Sequence, residues 1–104
     1  QVVPELAPMP GDVQFAKRWY SGFHETGLDM YLRAQGVDTV ILVGQHSHIC
    51  VQHTAGDAFI SGYRVVLATD GISAFTPEDK ANGIAYMETM YGAQSAMVDE
   101  ILAA

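Results

Sequence analysis

The sequence predicts an α/β fold, a parallel sheet covered by helices on both faces. Short apolar, β-branched runs at residues 37–44 and 63–68 read as buried strands. The segments before, between and after them repeat apolar residues at helical spacing. Gly36, Gly62 and Gly92 stand where each of these helices would stop. Strands that alternate with helices pair in parallel through right-handed crossovers. The expected result is a three-layer, Rossmann-like sheet whose ligands gather at the carboxyl ends of its strands.

Residues 1–11 carry three prolines and read as an extended surface loop. The chain does not open with Met, and this loop looks like a connection that began earlier. An N-terminal portion holding further strands is therefore expected to be missing, and residues 1–104 are taken as one partial domain. Residues 12–16 alternate weakly and are expected to form a short strand leading to Lys17. Residues 18–25, rich in aromatics and without a period, read as a loop. Thr26 followed by Asp29 resembles a capping box, and Leu28, Tyr31 and Leu32 then mark a helix closed by Gly36.

After the buried strand at 37–44, residues 50–61 are expected to be helical, with Val51, Ala55, Ala58 and Phe59 facing inward. The strand at 63–68 leads to a loop at 69–74. Thr76-Pro77-Glu78-Asp79 opens a helix: Thr caps, Pro takes the first position and the acids fill the first turn. That helix runs to about Tyr91, and residues 95–102 are expected to form a last short helix. Lys17, the 44–50 turn and the 69–74 loop all fall on the carboxyl edge of the expected sheet.

Composition excludes several classes of function. Apolar residues make up 49% and charged residues 16%, a globular mix. A net charge of −7 with only five basic residues argues against nucleic acid and anionic membrane as partners. One cysteine excludes an internal disulfide and fits a reducing, cytoplasmic setting. The longest apolar run, Val40 to Gly44, is far too short to span a bilayer.

Cys50 is the leading candidate for chemistry. It opens a helix directly after a strand and a polar turn, where backbone N–H groups lack intrahelical partners and carry partial positive charge. A thiol so placed is expected to be reactive, although a buried, inert cysteine is the common alternative. Lys17 would bring an ammonium to the same edge. Trp19, Tyr20 and Phe23 would wall a pocket for a small planar substrate, or else pack as core beneath a loop. His46, His48, Cys50 and His53 form H-x-H-x-C-x-x-H, but this does not match a closed zinc site, so no metal is assigned to it. The plainer expectation is that His46 and His48 line the cleft, with His53 structural.

Three stretches together resemble the isochorismatase-like cysteine hydrolases, the superfamily of nicotinamidase and N-carbamoylsarcosine amidase. They are KRWYSGFHETGLDMYLR from Lys17, DTVILVGQHSHICVQHTAGDAF from Asp38 and GYRVVLATDG from Gly62. The resemblance covers nearly the whole chain, as a C-terminal portion of the fold. It implies Cys50 as nucleophile and Lys17 as the lysine of an Asp-Lys-Cys triad. It places a cis peptide at Gln45–His46, which would aim the backbone N–H groups of His46 and Cys50 at an oxyanion. The substrate would be a small amide or ureido compound.

Two departures accompany the resemblance. The triad aspartate belongs to a first strand that no residue here supplies. The turn before the cysteine is Gln-His-Ser-His rather than a small-residue type. No cofactor is required by this scheme, though a divalent metal such as zinc would be held by residues of the missing portion. The expected assembly is a homo-oligomer, dimer or tetramer, with Met and Tyr of the 77–91 helix at an interface. The competing expectation is a non-catalytic, oligomeric binding or scaffold protein of the same fold.

Overall fold

The computed structural model describes residues 10–15, 20–24, 26–45 and 49–103. Its elements run α1 (Leu28–Ala34), β1 (Thr39–Gly44), α2 (Cys50–Ile60), β2 (Arg64–Ile72), α3 (Pro77–Tyr91), β3 (Gln94–Ala96) and α4 (Val98–Ala103). The three strands form one parallel sheet in the order β1-β2-β3. The expected open α/β sheet with helices is the fold observed.

The register explains the core. Val40 pairs with Val65 and Leu42 with Leu67, so these four side chains share one face. Val65 and Leu67 are buried there with Val51, Ala55 and Ala58 of α2 and Met87 of α3. Leu67 and Ala68 point to opposite faces, and both are buried (0% and 1% exposed), so β2 is covered on both sides. α4 packs against β2 as well.

Helix ends follow local chemistry. Thr76 caps α3 through its side-chain oxygen, which accepts from the Asp79 N–H at 3.0 Å, and Pro77 sits in the first turn. Gly92 ends that helix in the left-handed conformation (φ 63°). At α1 the expected capping box does not form, because Gly27 occupies the cap position. The Thr26 hydroxyl donates to the Gly22 carbonyl at 2.7 Å and accepts the Leu28 N–H at 3.3 Å. Asp29 is drawn away to the Tyr63 hydroxyl (2.7 Å) and the Arg33 guanidinium (3.0 Å).

Four expectations about strands need correction. Residues 12–15 form no strand. Phe15 packs edge-on against Tyr31 with ring centroids 5.9 Å apart, and meets α1 instead of a sheet neighbour. The third strand is β3, at the start of the segment expected to be the last helix. Three residues hold no readable period, and only pairing with Val66–Ala68 makes Gln94–Ala96 a strand. β1 is also not buried on both faces. It is the edge strand of the described sheet, and Ile41 and Val43 are 52% and 61% exposed on the face away from α2. β2 also runs on through Ile72, into the expected 69–74 loop.

Candidate active site

The candidate site lies where β1 gives way to α2. β1 ends at Gly44, Gln45 bends away, and Cys50 is the first residue of α2. A Cβ on Gly44 would lie 2.8 Å from Val51 Cγ2, so glycine is what allows the strand end to meet the first helical turn. Cys50 is half-buried. It shares a cavity of about 350 Å³ with Gly44, Gln45 and Thr54, walled by Leu42, Val43 and Val51. The position is the carboxyl edge of a parallel sheet, where such folds hold ligands.

A second segment is fastened beside this turn. The Gly22 N–H donates to Thr54 Oγ1 at 2.9 Å, which seats residues 20–24 against α2 one turn beyond Cys50. Tyr20 lies against the His53 ring, with centroids 5.4 Å apart. His53 Nδ1 is 2.7 Å from the Ile49 carbonyl, so this histidine braces the opening turn of α2, in line with its expected structural part. Phe23 turns inward. Its ring stacks on Tyr63 at 5.8 Å, and it lines a neighbouring apolar hollow with Leu28, Leu32 and Val40. Thr54 borders both that hollow and the Cys50 cavity.

Of the residues expected at the site, Gln45 and Cys50 come together, Tyr20 stands one turn away and Phe23 lies in the adjoining hollow. Lys17, Trp19, His46 and His48 lie outside the described residues, and with them the Gln45–His46 peptide bond. Two residues that border the site went unremarked in the sequence. Thr54 is signalled only by its i, i+4 spacing from Cys50, which places both on one helix face. Ser73 falls in the 69–74 stretch expected on the carboxyl edge, but nothing local singles it out. Its N–H donates to the Gly44 carbonyl (2.9 Å), and its hydroxyl donates to the Gln45 carbonyl (3.0 Å) across 28 residues of sequence.

Among the described residues, no three His, Cys, Asp or Glu side chains are grouped so that they could hold a metal ion. The residues described therefore do not fit a metal centre, and no chemistry is routed through one. Nor is any helix among them long and apolar enough to cross a membrane.

Fold and site together define an α/β protein of the open-sheet class with a thiol on its carboxyl edge. The chain belongs to the isochorismatase family, whose domain matches residues 1–98. It is 36% identical over 100 residues to the ureidoacrylate amidohydrolase RutB of Enterobacter sp. (strain 638), covering 95% of this chain and 44% of that protein. Among solved structures it resembles N-carbamoylsarcosine amidase from Thermoplasma acidophilum, with a TM-score of 0.86 and 42% identity, over 95% of this chain and 56% of that one. The nicotinamidase PncA of Bacillus subtilis aligns with a TM-score of 0.76 and 33% identity, over 79% and 45%. All three relatives are amidases or amidohydrolases by name, and the chain spans about half the length of each.

Proposed function

We propose that this chain is the nucleophile-bearing part of a cysteine-dependent amidohydrolase that cleaves a C–N bond of a small amide or ureido compound. The observation that carries the proposal is Cys50 at the first position of α2, facing a cavity it shares with Gly44 and Gln45. The kinship with three amide-cleaving relatives supports it.

In this mechanism Cys50 Sγ attacks the substrate carbonyl carbon. The carbonyl oxygen takes up negative charge, stabilised by the backbone N–H groups of His46 and Cys50. Collapse of the intermediate breaks the C–N bond, and ammonia or an amine leaves with a proton. Water then hydrolyses the thioester, releasing the acid and restoring the thiol. Lys17 supplies positive charge beside the thiolate, and Trp19, Tyr20, Phe23 and His48 contribute walls of the substrate pocket.

The triad aspartate has no counterpart at the matching position among the 104 residues, so the chain by itself is proposed to be inactive. The outer edge of β1 carries no strand among the described residues, and the relatives are about twice as long, which supports that part of the reading. A homo-oligomer is proposed as the working form. Tyr86 and Met90, 44% and 53% exposed on α3, suit an interface between copies.

The test is iodoacetamide labelling of Cys50 at pH 6–7, paired with an ammonia-release assay on nicotinamide, N-carbamoylsarcosine and ureidoacrylate. Labelling faster than a small-molecule thiol, with no turnover by the 104-residue chain, is the expected result. Labelling no faster than such a thiol removes the nucleophile. Turnover matching a full-length amidase removes the need for a further aspartate.

A further inference from the structure

We propose that Ser73 is a positioning residue for the peptide unit between Gln45 and His46, the unit assigned above to the oxyanion; this rests on the proposed function. The placement begins with an irregularity in β2. Leu42 of β1 pairs with Leu67, yet Gly44 pairs with Ile72, so β2 carries extra residues between the two pairs. Those extra residues do two things. Asp70 accepts the Val98 N–H at 2.8 Å, which ties the start of α4 to β2. Ser73 is brought back over the end of β1.

The bulge is pressed onto β1. A Cβ on Gly71 would lie 2.7 Å from Val43 Cγ1. From there the Ser73 N–H holds the Gly44 carbonyl, as a strand neighbour of any type would. Its hydroxyl adds what the backbone does not: a donor 3.0 Å from the Gln45 carbonyl. That carbonyl and the N–H of His46 belong to one planar unit and turn together. Holding the Gln45 carbonyl therefore holds the plane of that unit. Donors aimed at a developing oxyanion act because they are oriented before the reaction. Ser73 works through Gln45.

The experiment compares two reactions of the same thiol. With p-nitrophenyl acetate, Cys50 Sγ bonds to the acetyl carbon through a tetrahedral oxyanion. The ester C–O bond then breaks, and its electron pair leaves on p-nitrophenolate. With iodoacetamide, Sγ displaces iodide at a saturated carbon and no oxyanion forms. The ratio of the two rates at Cys50 is measured in the 104-residue chain and in Ser73→Ala, Ser73→Thr and Thr69→Val. Ser73 is exposed, so the added methyl of threonine has room. Thr69, whose hydroxyl donates to the Ala96 carbonyl at 3.4 Å, controls for loss of another β2 hydroxyl.

Ser73→Ala is expected to lower the acylation-to-alkylation ratio about threefold to tenfold, the range one net hydrogen bond commands. Ser73→Thr is expected to restore the ratio and Thr69→Val to leave it unchanged. An unchanged ratio in Ser73→Ala overturns the proposal, as does an equal fall in Ser73→Thr or Thr69→Val. A wild-type thiol that alkylates no faster than a small-molecule thiol refutes the nucleophile separately, and the ratio still decides Ser73.

Discussion

Thr54 Oγ1 accepts the backbone N–H of Gly22 at 2.9 Å across 32 residues of sequence, one helical turn from Cys50. A helical threonine divides between two χ1 rotamers, and the bond to Gly22 selects the one that presents Oγ1 to that N–H. The bond joins the aromatic loop to the helix that carries the thiol, at a threonine that borders both the Cys50 cavity and the hollow lined by Phe23.

Replacing Thr54 with valine keeps the shape and removes the acceptor. The Gly22 N–H is left part-buried without this partner, at a cost of about 1–2 kcal/mol. Thermal unfolding should show that loss, with Thr54→Ser retaining most of the wild-type stability. A Thr54→Val protein as stable as the wild type would mean that water replaces the bond freely.

Gly44 is open to a geometric test. The Cβ of Gly44→Ala would sit 2.8 Å from Val51 Cγ2, and overpacking of this kind costs about 1–3 kcal/mol. Val51 is itself buried, at 4% exposed, and has little room to retreat. The double variant Gly44→Ala with Val51→Ala should recover part of the loss in denaturant titration. An additive outcome would place the strain elsewhere.

Met87 is fully buried between α3 and the sheet face of Val65 and Leu67. Met87→Ala should therefore destabilise by about 2–5 kcal/mol. Tyr86→Ala, one residue away but 44% exposed, should cost distinctly less, since part of its surface is already in water. Parallel urea midpoints for the two variants measure the difference.

The Asp29–Tyr63 pair predicts a pH dependence with two limbs. The Tyr63 hydroxyl, and then the Arg33 guanidinium, hold the Asp29 carboxyl below the ordinary aspartate value against the opposing effect of burial. A depressed value gives stability that is present above the unfolded carboxylate's pKa and lost as pH falls through the lower folded one. Burial first, and then Asp29, raise the Tyr63 phenol above its ordinary value. That contribution is present below the unfolded phenol's pKa and lost as pH rises through the higher folded one. Melting temperatures of wild type and Tyr63→Phe should thus differ most at neutral pH. They should converge below pH about 4 and above pH about 10. A constant difference across that range would show that the pair contributes only packing.

Much of the fold was legible because local rules are strong where residues announce them. Thr76-Pro77-Glu78-Asp79 opens α3 as written, and Gly92 closes it. Val40, Leu42, Val65 and Leu67 read as strand interior and pair in register. Where the signal was weak, tertiary contacts decided. Gln94–Ala96 joins the sheet only because β2 offers it an edge, and Phe15 leaves the expected strand to pack on Tyr31. Asp29 exchanges a cap for Tyr63, 34 residues away.

For the site, the sequence by itself determined the chemistry on offer: a single thiol at a strand-to-helix turn with a glycine just before it. Those features depend on neighbours in the chain, so local pattern suffices to read them. Only the tertiary structure decided which distant groups hold that turn. Thr54 takes Gly22, and Ser73 takes the carbonyls of Gly44 and Gln45. The register shift in β2 that delivers Ser73 goes with a close approach of Gly71 to Val43, a contact between strands that no run of adjacent residues encodes.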